Sequence, residues 1–332
     1  MPTDPLPTGK LPAALLAELL ASAPSRDDAV LLGPAIGEDA AALQLPADVI
    51  VAATDPITLT SNAAGRYVVI INANDVAVTG ALPRWFLVTM LLPPTADEAK
   101  VRALFTGLRS TLDELEVTLI GGHSEVTPAV TQPVLVGHML GTVVGDRPIS
   151  SSGARAGDVL VQVGPVPIEG AAVLAEECRQ RLGDLPTELL QAAERAVDDP
   201  GISVVAPALL AAELGATAMH DPTEGGLAAG LGELADASGI ELRVHGGAIE
   251  RFAPGVAICD HLGADPLATL ASGALLATFP AHLADAAVTA LRTAGHPATP
   301  IGEAAPGSGV LLDGQPMPTP TRDEVARLLA AG

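Results

Sequence analysis

The segment HDPTEGGLAAGL, residues 220–231, places two acids and a proline immediately before a glycine pair. Two interpretations fit this pattern. In the structural one, Asp221 caps a helix that the proline opens, and Glu224 completes a capping box. In the functional one, Gly225 and Gly226 let a phosphate approach the free N–H groups of a helix N-terminus, where the neighbouring acids hold its magnesium ion.

The glycine pair favours the functional interpretation. A glycine inside a helix costs about 0.5–1 kcal/mol relative to alanine, and this chain uses alanine freely elsewhere. We therefore expect something to approach the backbone of Gly225 and Gly226 closely.

Three further segments carry acids at places suited to ligand binding. Asp39 lies in the glycine-flanked GEDAA, Asp55 ends the predicted strand VIVAATD, and Asp75 lies in NANDVAVTGALP. On the helix predicted for the last segment, Asn72 and Asp75 share a face, so a carboxamide and a carboxylate point together. A buried acid is costly without a partner, and a cation is a natural one.

A fourth segment, GGHSEVT, follows the predicted strand VTLIGG and is expected to form a loop, the kind of element that often carries function. His123 is either a structural histidine, which we favour, or a metal ligand. Oxygen ligands at scattered element ends suit magnesium rather than zinc. The acids concerned are Asp39, Asp55, Asp75, Glu125, Asp221 and Glu224.

Composition excludes several classes of function. With 39 acidic against 17 basic residues, a net charge of -22 and only two lysines, Lys10 and Lys100, the chain is unsuited to nucleic acid. It has no Walker loop, kinase lysine or GxGxxG motif. Cys178 and Cys259 lack the spacing of a disulfide framework or zinc site, which favours a cytoplasmic location.

No apolar run reaches the length of about 18 residues that suggests a membrane span, so no membrane contact is expected. The segment LPAALLAELLASA is predicted to be an amphipathic helix rather than a secretory signal. Its apolar stripe consists of Leu11, Leu15, Leu16, Leu19 and Leu20.

A chain of 332 residues suggests two domains, and the run GDRPISSSGARAGD marks their boundary, giving domains 1–146 and 147–332. Long helices separate strands that could pair antiparallel, which favours an α+β fold over a doubly wound parallel sheet. The predicted helices include 65–79, 96–115, 168–181, 204–214 and 283–294, and the predicted strands include 85–92, 117–122, 134–144, 158–164, 241–244 and 273–279.

In chain order, the blocks GEDAA, TDP, NDVAVTGALP, GGHSEVT, SSGARAGDVLVQVG, HDPTEGGL and DPLATLASGALL resemble the signature blocks of the PurM-like superfamily. That superfamily includes aminoimidazole ribonucleotide (AIR) synthase, selenophosphate synthetase, thiamine-monophosphate kinase and the hydrogenase maturation factor HypE. The resemblance extends from about Lys10 to Glu303 and is strongest to the AIR synthase related, HypE-like group.

The resemblance implies a two-domain α+β fold whose N-terminal domain forms a shared β-barrel across a homodimer. It also implies ATP and Mg²⁺ in a cleft across the dimer, and phosphoryl transfer from ATP to a weakly nucleophilic small-molecule acceptor such as an amide oxygen. Catalysis of that kind is mainly positioning and charge neutralisation.

The resemblance also assigns expected roles to residues. The expected metal ligands are Asp39, Asp55, Asp75 and Asp221. The expected nucleotide-binding residues are Asp39, Thr54, Asp55, Asn74, Asp75, Gly122, His123, Ser124, Glu125, Gly225 and Gly226. The expected catalytic residues are Asp75, Asp221 and Glu224.

Departures from the HypE pattern refine these expectations. HypE carries its thiocarbamoyl group on a C-terminal cysteine, whereas this chain ends in VARLLAAG, which argues against cyanide-ligand synthesis. Glu125 replaces a HypE lysine and Glu224 replaces the arginine of DPTRGG. Two carboxylates in place of cations favour extra metal or a cationic acceptor over an anionic one.

Three functions therefore stay open at the level of sequence. The first is an ATP- and magnesium-dependent enzyme that phosphorylates or dehydrates a small molecule. The second is a HypE-type maturation factor that acts on a protein partner. The third is a regulatory or scaffold protein that binds Mg-ATP without turnover.

Overall fold

The computed structural model describes residues 9–10, 13–22, 27, 29–32, 42–43, 49–58 and 63–330. The chain divides into two compact units, residues 1–76 with 81–147 and residues 77–80 with 148–332. Asp39 and its GEDAA segment lie outside the described residues. The domain boundary between residues 146 and 147 stays a prediction.

The elements alternate between helices and strands along the chain. The helices are α1 (Ala13–Ala21), α2 (Ala64–Ala77), α3 (Glu98–Glu114), α4 (Glu169–Glu177), α5 (Thr187–Glu194), α6 (Val205–Glu213), α7 (Gly226–Ser238), α8 (Ala253–Leu262), α9 (Ala281–Thr293) and α10 (Glu324–Ala330). The strands are β1 (Gly9–Lys10), β2 (Val30–Leu32), β3 (Ala42–Leu43), β4 (Ile50–Ile57), β5 (Ala81–Leu92), β6 (Thr118–Val126), β7 (Val134–Val143), β8 (Asp158–Val163), β9 (Ala218–His220), β10 (Glu241–Val244), β11 (Leu275–Pro280), β12 (Ala298–Ala305), β13 (Gly309–Leu312) and β14 (Gln315–Pro316).

The first unit contains a five-stranded sheet in the order β1-β6-β5-β7-β4. Only the β5–β6 pair is parallel among these neighbours. Alternate side chains of β7 are buried, as expected where one sheet face packs on a core. Helices α2 and α3 pack closely, because a Cβ on Gly65 would lie 2.0 Å from the Leu104 carbonyl oxygen. On the opposite sheet face, Leu87, Leu91 and Val136 are only half-buried.

The second unit is built on a seven-stranded sheet in the order β14-β13-β10-β12-β8-β11-β9. Its pairs are antiparallel except β10–β13. Each sheet face has its own apolar core. One core joins α7, through Leu231, to strand residues such as Leu242. The other joins α9, through Val288, to strand residues such as Phe279.

The prevalence of antiparallel pairs confirms the α+β class, and the parallel doubly wound alternative is wrong. The predicted helix 65–79 corresponds to α2, and the helix predicted in the leucine-rich N-terminal segment corresponds to α1, whose Leu15 and Leu19 are buried. Helices α5, α8 and α10 were not predicted. Within the described part of the chain, none of the helices combines the length and apolar character needed to cross a bilayer.

Candidate functional site

The loop between β9 and α7 does not form the capping box that the sequence suggested. Helix α7 begins at Gly226, with Gly225 as its N-cap in the left-handed conformation. Asp221 and Glu224 therefore precede the cap, and the interpretation of Asp221 as an N-cap is wrong. The physical reason is that the chain turns through two glycines before the first helical hydrogen bonds form.

The glycine pair is explained by the protein's own chain. Gly225 and Gly226 have φ angles of 78° and 66°, which disfavour side chains. A Cβ on Gly226 would also lie 2.5 Å from the Leu267 carbonyl oxygen and 2.7 Å from that of Thr269. Something does approach this backbone closely, as expected, but it is another segment of the same protein.

The N–H groups at the start of α7 are also used internally. Gly225 N–H donates to Asp323 Oδ2 at 2.7 Å, and Ala228 N–H donates to the Leu267 carbonyl oxygen at 2.9 Å. These donors were expected to serve a phosphate. Internal partners therefore occupy part of this donor set, and Gly225 and Gly226 stay candidate nucleotide-binding residues from the sequence.

Asp323 is a residue of this site that sequence reasoning missed. Its Oδ1 accepts the N–H of Val325 at 2.7 Å, so it caps α10 while Oδ2 holds Gly225. Burial raises the pKa of the Asp323 carboxyl, the nearby Glu224 charge raises it further, and the hydrogen bonds from Gly225 and Val325 oppose the rise. The run DEVARLLA, an acid before an amphipathic segment, was the available signal for the cap.

The loop that carries Asp221 folds back along α7. His220 Nε2 lies 2.7 Å from Glu233 Oε2, and this hydrogen bond lowers the pKa of Glu233. A Cβ on Gly230 would lie 2.6 Å from Pro222 Cβ, so the loop and the helix are in close contact. Within this loop Asp221 is buried, whereas Glu224 is exposed.

In the first unit, Asn72 ties α2 to β4. Its Oδ1 accepts the N–H of Asp55 at 2.8 Å, and its Nδ2 donates to the carbonyl oxygens of Asp55 and Val68 at 3.2 and 2.8 Å. Thr54 Oγ1 donates to the Gly137 carbonyl oxygen on the adjacent strand at 2.8 Å. Because the polar atoms of Asn72 are committed to the backbone, it is a structural residue rather than a ligand that acts with Asp75.

Two other predicted ligands lie on α2. Asp75 is half-buried near the C-terminal end of the helix, and Asn74 is fully buried beside it. A half-buried carboxylate can still exchange ligands with solvent, whereas a fully buried carboxamide has to find its partners inside the protein. Asp75 is thus the better placed of the two for an external ligand.

The segment GGHSEVT is part of a strand, so the prediction of a loop is wrong. Strand β6 continues to Val126, and His123, Ser124 and Glu125 pair with residues of the parallel strand β5. Gly122 has φ 150°, and a Cβ there would lie 2.0 Å from the Val88 carbonyl oxygen.

Gly122 is therefore required by the close approach of β5 and β6. His123 Nε2 lies 3.4 Å from Glu125 Oε2, and both side chains are accessible on the strand. They form at most a weak pair, since exposed ion pairs contribute about 0–1 kcal/mol.

The structure describes three of the four predicted magnesium ligands, Asp55, Asp75 and Asp221, whereas Asp39 lies outside the described residues. Among the residues that the structure describes, no three histidine, cysteine, aspartate or glutamate side chains are arranged to hold a metal ion. Asp55 and Asp75 belong to the first unit and Asp221 to the second. Magnesium in nucleotide sites needs only one or two carboxylates, because phosphates and waters complete its shell. The carboxylate side chains fit such an ion, and in the described part of the chain they do not form a complete protein cage for it.

Comparison with known proteins defines the class of this chain. Residues 37–143 match the N-terminal domain of AIR synthase related proteins, and residues 155–313 match their C-terminal domain. Carbamoyl dehydratase HypE of Cupriavidus necator is 31% identical over 272 residues, which cover 79% of this chain and 74% of that protein.

Two solved structures extend the comparison. The crystal structure of the hydrogenase maturation protein HypE in complex with ATP has a TM-score of 0.75 at 24% identity, covering 87% of this chain and 90% of that one. Thiamine-monophosphate kinase from Stenotrophomonas maltophilia has a TM-score of 0.75 at 25% identity, covering 91% and 96%. The chain belongs to the AIR synthase related proteins of the PurM-like superfamily, in the HypE-like group.

Proposed function

We propose that this protein is an ATP-dependent enzyme that activates the oxygen of a carbamoyl or similar amide group by phosphoryl transfer. The observation that carries the proposal is the 31% identity to a carbamoyl dehydratase, over 74% of that protein's length. A HypE structure with ATP supports nucleotide as the phosphoryl donor. The similarity to HypE proteins supports the HypE-type alternative more than phosphorylation of a small molecule.

The proposed conversion of an amide to a nitrile has two steps. The amide oxygen attacks the γ-phosphorus of ATP, ADP leaves, and the nitrogen gives up one proton. The carbon–oxygen bond then breaks, phosphate leaves with the oxygen, and the loss of a second nitrogen proton yields a nitrile. Loss of water from the amide is thus coupled to the net hydrolysis of ATP to ADP and phosphate.

The chain's contribution would be to position the reactants and neutralise charge. Asp55 and Asp75 in the first unit are carboxylates that would hold a nucleotide-bound Mg²⁺, which would screen the phosphate charges. Asp221 stays a candidate ligand from the sequence. The loop with Asp221 and Glu224 is held firmly by α7 and by Asp323. Asp39 and Ser124 stay candidate ligands from the sequence.

The direct test measures ADP, phosphate and nitrile formation from ATP with carbamoyl and other amide acceptors. We expect Asp75→Asn to abolish turnover while its circular dichroism and unfolding midpoint stay those of the wild type. Asp113→Asn is the control, because Asp113 is a partly exposed acid on α3 that pairs with Arg109. Equal loss in both variants, or full activity in Asp75→Asn, would contradict the assignment of Asp75.

A second candidate function is phosphorylation of a small molecule without dehydration. The similarity to thiamine-monophosphate kinase supports it. Phosphorus NMR separates the two, because a kinase leaves the phosphoryl group on the acceptor and a dehydratase releases it as phosphate. If ATP raises the unfolding temperature in a concentration-dependent way, the protein binds ATP. If no ADP forms over hours under the same conditions, the non-catalytic alternative is favoured.

We also propose that the protein forms a homodimer through the open face of the first sheet. Leu87, Leu91 and Val136 are half-buried there, and Leu82 is 43% exposed. A row of apolar side chains on one sheet face is typical of a surface that another chain covers. Leu91→Lys is expected to convert a dimer into a monomer in light scattering, whereas Arg109→Ala on α3 leaves the mass unchanged.

A further inference from the structure

Part of the chain that follows the second family match, which ends at residue 313, lies beside α7. We name residues 317–330 the C-terminal strap. A Cβ on Gly232 would lie 2.9 Å from Thr319 Oγ1, and a Cβ on Gly225 would lie 4.0 Å from Pro320 Cβ. The strap therefore runs from the middle of α7 towards the N-terminus of that helix.

At the N-terminus of α7 the strap is joined to two other segments. Asp323 Oδ2 accepts the Gly225 N–H at 2.7 Å, and Glu324 N–H donates to the Ala268 carbonyl oxygen at 3.2 Å. The segment containing Ala268 is joined in turn to the loop, because Ala271 N–H donates to the Thr223 carbonyl oxygen at 3.2 Å. The strap, the 267–271 segment and the loop thus fix one another.

Asp323 is the charged member of this junction. Its side chain is buried, and burying a carboxylate is costly unless hydrogen bonds compensate. Both its oxygens accept backbone N–H groups, and bonds of this charge-assisted kind are about twice as strong as neutral ones. A group bound in this way fixes the direction of the Gly225 peptide, which in turn sets the exit of the loop into α7.

We propose that Asp323 is a positioning residue for the loop 221–225 and, through it, for the reaction. The proposal rests on the proposed function, because it assumes that the acids of this loop serve ATP-dependent chemistry. The strap is one of the segments that hold the loop, and in this role Asp323 acts through Gly225 without touching a substrate.

Two variants separate the contact with Gly225 from the capping of α10. Asp323→Asn keeps an oxygen for Val325 N–H but turns an amide donor towards Gly225 N–H. Asp323→Ser also caps helices well and is too short to reach Gly225. The matched control is Asp313→Asn, since Asp313 Oδ1 accepts the N–H of another glycine, Gly246, at 2.9 Å.

Amide hydrogen exchange of the full-length chain is the first measurement. We expect exchange in peptides covering residues 221–228 to rise by about tenfold to a hundredfold in both Asp323 variants. Exchange in residues 324–330 should stay unchanged, as should exchange in 221–228 in Asp313→Asn. Unchanged exchange in 221–228 in both Asp323 variants would overturn the proposal.

Steady-state kinetics with ATP is the second measurement. A positioning role predicts that kcat per folded molecule falls about tenfold or more in both variants, in line with the loosened loop. Faster amide exchange in residues 221–228 with unchanged kcat and KM would mean that Asp323 is structural only. That result would overturn its role in the reaction. If the wild type forms no ADP with any acceptor, the proposed function fails, while the exchange experiment still decides whether Asp323 holds the loop.

Discussion

Asn72 binds both polar groups of the Asp55 backbone, accepting the N–H at 2.8 Å and donating to the carbonyl oxygen at 3.2 Å. The side chain is fully buried, and its amide group pairs with the Asp55 backbone as a peptide group of a neighbouring strand would. This contact sets where α2 lies on β4, and thereby where Asp75 lies one helical turn later.

Removing the Asn72 side chain should destabilise the first unit. Asn72→Ala leaves the Asp55 groups without their partner and creates a cavity, so we expect the free energy of unfolding to fall by about 2–4 kcal/mol in urea titrations. Thr289→Ala is the control, because its exposed hydroxyl bonds only within α9 and its loss should cost less than about 0.5 kcal/mol.

The same contact predicts coupling with Gly137. A Cβ there would lie 2.4 Å from Asn72 Nδ2, so Gly137→Ala should cost about 1–3 kcal/mol in the wild type and less in Asn72→Ala. If the changes in unfolding free energy caused by the two substitutions simply add, Asn72 is not the side chain that obstructs a Cβ at position 137.

The glycines at the two ends of α7 provide a matched pair. Gly226 and Gly239 have φ angles of 66° and 63°, but only Gly226 has backbone within 3 Å of its virtual Cβ. Gly239→Ala should cost about 1–2 kcal/mol from its backbone conformation alone. Gly226→Ala should cost a further 1–3 kcal/mol, roughly, from overpacking against Leu267. Equal losses in urea unfolding would argue against the close approach.

Stability should depend on pH through Asp323. Burial raises the pKa of this carboxyl above 3.8, so the folded chain holds the proton at pH values where the unfolded chain has released it. The contribution of Asp323 to the unfolding free energy is therefore largest below pH 3.8 and falls as the pH rises to the folded pKa. The difference between wild type and Asp323→Asn, measured by denaturation at several pH values, should decline over that window and then level off.

Both thiols should be inert in the folded protein. Burial raises the pKa of Cys259 to about 11 and also raises that of Cys178. A thiol reagent at pH 8 should label neither cysteine in the native chain and both in urea. Rapid labelling of one native thiol would show that its surroundings open far more often than the packing implies.

The sequence predicted what local patterns determine. The apolar run before NANDVAVTGALP predicted α2, and the antiparallel pairing followed from long helices between strands. The resemblance to PurM-like proteins predicted the fold that the comparisons confirm. These features depend on residues close together in the chain or on sequence blocks that resemble the signature blocks of a known superfamily.

Contacts between distant segments were not predictable in this way. GGHSEVT looked like a loop because two glycines end an apolar run, yet β5 supplies a parallel partner that extends β6 to Val126. The glycines of HDPTEGGL suggested a ligand because nothing local explained them, whereas their positive φ angles and the close approach of Leu267 to Gly226 do. At Gly122 and at Gly226, the glycine in the sequence indicated that another group comes close. It did not indicate which segment of the chain that group belongs to.

The hydrogen bond between Gly225 and Asp323 spans 98 positions of the chain. Closing a loop of this length has an entropic cost that the contact has to offset. Subglobal opening can break this contact while both sheets keep their cores. Preparations with native spectra could then differ in activity, according to how many molecules have completed this closure.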